Sequence, residues 1–154
     1  SARFLQAAAA IEQRDPAKAS ALYKTIAADA DTPPALRDLA RVRDVTLNFD
    51  RMKPADAIAQ LSPLAQPGNP MFGSAAELVA MAHLEAGNRA AAGKLFAQIA
   101  KDESLPESLR SRARQMAGLM GVDAIVDIDK LLKDQGADTS GRSGSDSDGE
   151  PAAQ

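Results

Sequence analysis

The chain has no cysteine, one histidine and only 3% aromatic residues. Each shortage excludes something. Without cysteine there is no disulfide, no thiolate nucleophile and no cysteine-ligated zinc. With His83 alone, a transition-metal site lacks its usual ligands. Scarce aromatics work against sheets, whose strands favour β-branched and aromatic side chains. No apolar run approaches the roughly 20 residues that a membrane-spanning helix requires. A strong positive balance is missing too. The formal net charge is −3, and residues 134–154 carry Asp134, Asp138, Asp146, Asp148 and Glu150 against Arg142, a net of −4. The rest is therefore about +1. So neutral a body offers no basic stripe for phosphates, and nucleic acid is not expected as a partner.

What the chain does have is alanine, the largest share of a 45% hydrophobic content. Alanine is the best helix former, and it suits close helix-on-helix packing. Its 154 residues are enough for one domain. Proline marks the expected helix starts, because at the first helical position it sacrifices no hydrogen bond and a short polar residue before it can cap. Asp15-Pro16, Thr32-Pro33, Lys53-Pro54 and Asn69-Pro70 fit this pattern, and Ser104–Pro106 is a looser version. Gly87-Asn88 ends one helix and caps the next. Apolar spacing between these breaks predicts helices over 2–13, 16–29, 33–49, 54–65, 70–86, 88–101, 105–119 and 122–133. No segment alternates at period two, so no strand is expected.

From Gly136 the chain reads "GADTSGRSGSDSDGEPAAQ" and offers almost nothing to bury. Such composition predicts a disordered acidic tail over 134–154, behind a helical domain over 1–133. The chain opens at Ser1, already inside a helical pattern, and is expected to be an excised or processed part of something longer.

Two stretches say nearly the same thing: "DTPPALRDLAR" at 31–41 and "ESLPESLRSRAR" at 103–114. Shifting the chain by 73 residues aligns Ala19 with Ala92, Tyr23 with Phe96, Ile26 with Ile99, Asp29 with Asp102, and Arg37 with Arg110. Pro33, Pro70 and Pro106 divide this echo into two units of about 36 residues. That period belongs to stacked helix pairs. The segment "MAHLEAGNRAAAGKLFAQIA" at 81–100 looks like a tetratricopeptide repeat across its turn. Gly87 makes the turn, and Ala80 and Ala92 let the helices touch. Phe96 fills the space beneath. The first unit repeats this with Ala7, Ala19 and Tyr23, and has Arg14 where the turn glycine stands. The middle unit, around Pro54, Ala57 and Leu61, is degenerate. The expected fold is therefore all-α: a right-handed solenoid of about three and a half antiparallel helix pairs around one continuous core, capped by a last helix with Ile125, Ile128 and Leu131.

Solenoid curvature turns the first helix of each pair inward and makes one extended surface. The repeat frame puts Ser74, Glu77, Met81, Leu84 and Glu85 on that side. Met81 and Leu84 stand among polar neighbours there, and flexible methionine suits varied apolar segments. Glu77 would orient a basic group. Arg37, Arg41, Arg110 and Arg114 lie near the joints between pairs. Either their stems pack there and their heads pair with Asp29 and Asp102, or Arg41 and Arg114 help clamp a partner's carboxylate.

The chain resembles the YfgM-like envelope proteins, in particular their alphaproteobacterial branch. The likeness is carried by "DTPPALRDLARVRDV", "LSPLAQPGNPMFGSAAELVAMAHLEAGN" and "SLPESLRSRARQMAG", and it extends over roughly residues 2–128. The entry at Pro67-Gly68-Asn69-Pro70 is its most specific part. The resemblance implies a periplasmic helical domain held at the bacterial inner membrane by a helix absent from this chain. It also implies an ancillary role at the SecYEG translocon, sheltering or handing on exported proteins. Its partners would be translocon subunits or exported clients.

No catalytic constellation is visible. His83 falls where a packing aromatic usually sits and is expected to be structural. Asp127 and Asp129 lie two apart on a helix and so point to different sides. "GSDSDGE" lacks calcium-loop spacing. No Gly-x-Ser-x-Gly elbow occurs, and "AGNRAAAGK" lacks both the spacing and the strand of a phosphate loop. Neither cofactor nor metal is expected, and the chain reads as a non-enzyme. The alternative to an envelope adaptor is a soluble repeat module that self-assembles or stiffens a larger complex.

Overall fold

Residues 2–122 are described by a computed structural model of the chain. Among them are seven α-helices and no strand. They are α1 (Ala2–Glu12), α2 (Pro16–Ala28), α3 (Pro34–Asn48), α4 (Pro54–Leu61), α5 (Phe72–Glu85), α6 (Arg89–Lys101) and α7 (Glu107–Leu119). A 3-10 turn, Phe49–Arg51, follows α3. Each helix packs on the next along the chain, and α3 also touches α5. The expected eighth helix, the Asp127 and Asp129 pair, the domain boundary at 133 and the acidic tail lie outside the described residues.

Local chemistry sets the ends. Asp15 Oδ1 accepts the Lys18 N–H at 3.0 Å and Asn88 Oδ1 accepts the Ala91 N–H at 3.1 Å, so two of the expected caps form. Such a cap stabilises by about 1 kcal/mol. Thr32 does not cap. Helix α3 begins at Pro34, and the Thr32 hydroxyl donates to Asp29 instead. Helix α4 stops at Leu61, short of the expected 65. The Ser62 hydroxyl donates back to the Ile58 carbonyl at 2.5 Å, and Pro63 has no N–H to extend the ladder. Helix α5 starts at Phe72, because Asn69 Oδ1 first ties the Met71 N–H into a turn at 2.8 Å.

The 73-residue echo reappears in the backbone. Arg14 has φ +58° and Gly87 has φ +81°, both left-handed. The Asp15 N–H reaches back to the Ala10 carbonyl at 2.8 Å, and the Asn88 N–H to the His83 carbonyl at 2.8 Å. Helices α1 and α5 therefore end in the same six-to-one turn, once on glycine and once on arginine. After α2 and α6, Asp29 Oδ1 accepts the Asp31 N–H and Asp102 Oδ1 accepts the Ser104 N–H, each at 3.0 Å.

These turns consume the carboxylates that were expected to meet the arginines. Asp29 also takes the Thr32 hydroxyl and the Arg3 guanidinium, each at 3.0 Å. These donors, the Asp31 N–H foremost, hold its carboxyl below the ordinary value of 3.8. Asp102 accepts from the Ser104 hydroxyl. Arg41 turns to Asp38 at 2.7 Å and Arg110 to Glu107 at 2.9 Å, each within its own helix. The stems do pack: Nε of both Arg37 and Arg110 is buried without a partner, 73 residues apart.

Ala7, Ala19, Ala80 and Ala92 are all fully buried, with Tyr23 and Phe96 at 2% exposure beside them. The core, however, is two clusters. One joins α1, α2 and one face of α3 through Tyr23, Ile26 and Ala40. The other joins the opposite face of α3, through Val42 and Val45, to α4–α7. At about 100° per residue, Asp44 falls between those two faces. It is only 6% exposed. Its Oδ1 accepts from the Ser20 hydroxyl at 2.5 Å and from Asn48 Nδ2 at 2.9 Å. A polar knot thus sits at the α2–α3 joint where continuous apolar packing was expected.

Two predictions follow from this geometry. Ala19→Leu and Ala92→Leu should each destabilise the domain by about 1–3 kcal/mol through overpacking. Unchanged thermal midpoints in both would contradict the close approach. Arg14→Gly should raise the thermal midpoint, because a left-handed non-glycine residue costs about 1–2 kcal/mol, partly offset by glycine's extra freedom when unfolded. A lowered midpoint would show that the arginine side chain is worth more than the relief of strain.

Candidate functional site

Helices α5 and α7 are nonconsecutive but touch near their starts, at Gly73 and Glu77. A Cβ on Gly73 would lie 2.9 Å from a Leu105 methyl and 3.2 Å from one of Leu109, so the starts of the two helices leave no room for a side chain. One turn later, Glu77 Oε1 accepts from Arg112 Nε at 2.9 Å and from Nη2 at 2.7 Å. The offsets, 36 residues from Gly73 to Leu109 and 35 from Glu77 to Arg112, are nearly constant, as in parallel helices in register.

Beyond this contact lies a groove of about 520 Å³. Helix α5 supplies Glu77, Leu78, Met81 and Glu85, and α7 supplies Leu109, Arg112, Ala113 and Met116. The buried Phe96 and Ile99 of α6 reach it from beneath. Phe49 and Asp50 of the 3-10 turn complete the lining. The volume lies within the range of specific ligand sites, and the mixture of apolar walls with a few polar groups is typical of them.

Three of the sequence-derived partner residues, Glu77, Met81 and Glu85, line this groove together. They recur every fourth residue and so form one stripe along α5. Met81 is 37% exposed, which places it on the groove wall and not in the core. The other four stand elsewhere. Ser74 is exposed one turn before the groove. Leu84 is half-buried against the core. Arg41 lines a separate cavity of about 450 Å³ with Tyr23, Lys24 and Asp44. Arg114 is exposed, 3.9 Å from Glu107. His83 is half-buried beside a smaller cavity of about 270 Å³, which Val79 and Leu95 also line.

The expected role of Glu77 changes. Its charge is already met by Arg112, so it holds α5 to α7. Their side chains are 33% and 56% exposed, and solvent limits the pair to about 1 kcal/mol or less. Arg112, Met116 and Phe49 were not foreseen, yet the period points to them. One repeat of about 36 residues takes Glu77 to the neighbourhood of Arg112, Met81 to Met116, and Phe49 to Glu85.

Among the described residues no group of three or more His, Asp or Glu is placed to hold a metal ion, and no helix is long and apolar enough to cross a membrane. Comparison with known proteins finds no matching family model, no matching curated protein and no matching solved structure.

Met81→Asp should leave the helical signal and thermal midpoint nearly unchanged. If the domain unfolds instead, Met81 is core and the groove wall is misassigned. A double-mutant cycle of Glu77→Gln with Arg112→Gln should give a coupling of about 0.2–1 kcal/mol that shrinks with added salt. A coupling of zero at low salt would remove the latch between α5 and α7.

Proposed function

We propose that the chain is a non-catalytic protein–protein interaction scaffold, built as a tetratricopeptide-like right-handed solenoid. The observation that carries this reading is the apolar groove between α5 and α7. It is walled by parallel helices one period apart, the helices that a solenoid turns toward its partner. The shared turns at Arg14 and Gly87 support the repeat, as do the paired alanines at 19 and 92. The groove offers contact surface and two flexible methionines, and Glu77 is engaged in an ion pair.

The cellular setting rests on the resemblance to the YfgM-like proteins. On that basis the module serves the periplasmic side of the bacterial inner membrane, as an adaptor or chaperone-like factor at the Sec translocon. Its anchor would lie outside this sequence. The self-assembly alternative would look to the exposed apolar residues of α1, Leu5 and Ile11. They stand six residues apart, about 120° round the helix, and share no patch.

In-cell photo-crosslinking of the full-length protein tests the proposal. A photoreactive residue at Met81 should capture translocon subunits or exported proteins, identified by mass. The same residue at Lys94, exposed on α6, should capture far less. Equal capture at both positions, or capture of the chain's own copies alone, would overturn it.

A further inference from the structure

The charges of the groove point to the chemistry of its occupant. Four charged residues line it: Asp50, Glu77, Glu85 and Arg112. Glu77 and Arg112 neutralise one another through two hydrogen bonds to a single oxygen. Asp50 and Glu85 make no ion pair with any described residue. The groove thus presents apolar walls with a residual charge of −2. We infer that it takes an apolar polypeptide segment carrying a lysine or arginine beside its apolar residues, seated with the cation toward Asp50 and Glu85. This deepens the proposed scaffold function and rests on it.

Three features select that occupant. The apolar lining includes Met81 and Met116, side chains that adapt to varied apolar shapes. An apolar segment would remove the exposed part of Met81 from water. The two unneutralised carboxylates repel a phosphate, a fatty-acid carboxylate or an acidic peptide, so an anionic lipid and a carboxylate-ended segment are both disfavoured. A basic side chain gains there: Asp50 and Glu85 are exposed, and an occupant seated on the groove shields them and its own cation from part of the water, which strengthens their attraction. Apolar contact supplies affinity, and the carboxylates supply selection between partners.

The test uses the full chain and two labelled amphipathic peptides of equal length, one of leucine and lysine, the other of leucine and glutamate. Fluorescence anisotropy should show the lysine peptide binding at least about tenfold more tightly, a difference of about 1.4 kcal/mol. In Asp50→Asn/Glu85→Gln the preference should collapse. In Glu12→Gln/Glu103→Gln, which removes equal charge at exposed sites away from the groove, it should persist. Met81→Asp should weaken apolar docking of the peptide. If both peptides bind alike and Met81→Asp weakens both, the groove stands and the basic preference falls. If the preference survives loss of Asp50 and Glu85, the cation binds elsewhere and the inference is overturned. If neither peptide is affected by Met81→Asp while crosslinking at position 81 still captures envelope proteins, the scaffold function stands and this occupant is wrong. A self-association that Met81→Asp abolishes would make a second copy the occupant and also overturn it.

Discussion

Everything in this domain depends on how closely two helices of a pair can approach. Ala7 and Ala19 in the first pair, and Ala80 and Ala92 in the third, are sealed from solvent. Sealed sites of this size have no spare room, and a larger side chain there would have to displace its neighbours. With the pairs closed on alanine, the bulk of Tyr23 and Phe96 is displaced beneath the contact, where each is nearly sealed as well. The scarcity of aromatics is then no weakness. The core is made of many small side chains and a few large ones, such as Tyr23, Ile26, Leu61, Phe72 and Ile99.

The groove is a consequence of the same economy of size. At Gly73 the absence of a side chain lets Leu105 and Leu109 come up against α5, so the helices begin in contact. At Glu77 an ion pair replaces the contact. Past that point Leu78 and Met81 on one side and Ala113 and Met116 on the other do not fill the space between the helices, and it stays open. Glycine, ion pair and gap thus follow one another along the two helices, and the groove is what their packing leaves uncovered.

Much of this was legible in the sequence. Helix existence and the caps at Asp15 and Asn88 follow from local chemistry, which sequence states directly, and the fully buried pair alanines follow from the repeat. The left-handed turn at Arg14 was visible only through the repeat, since arginine by itself carries no turn signal. Errors arose where side chains intervened in the backbone ladder, as Ser62 does at the end of α4 and Asn69 before α5. The polar knot of Ser20, Asp44 and Asn48 was missed because the Asp44–Asn48 pair on α3 reads as an ordinary i, i+4 surface pair until α2 docks and brings Ser20, 24 residues before Asp44, against it. In the site, the stripe Glu77, Met81 and Glu85 was found from one helix. Its partners Arg112 and Met116 sit one period away, and they required the step from repeat length to spatial neighbour. Ser74 and Leu84 were grouped with the stripe by the repeat frame, and Arg41 and Arg114 by their charge beside the joints; a repeat frame fixes a helix face only to within a residue or so, and charge does not fix it at all.

The five methionines provide a direct measurement of the central claim, that the α5–α7 groove is the working surface. Met81 and Met116 line it, whereas Met52, Met71 and Met120 pack elsewhere on the core. In methyl NMR of the methyl-labelled full chain, a permanently unfolded polypeptide rich in apolar and basic segments is added in steps. The account predicts that the signals of Met81 and Met116 shift together while the other three stay in place. Shifts confined to Met52, Met71 or Met120, or spread evenly over all five, would contradict it.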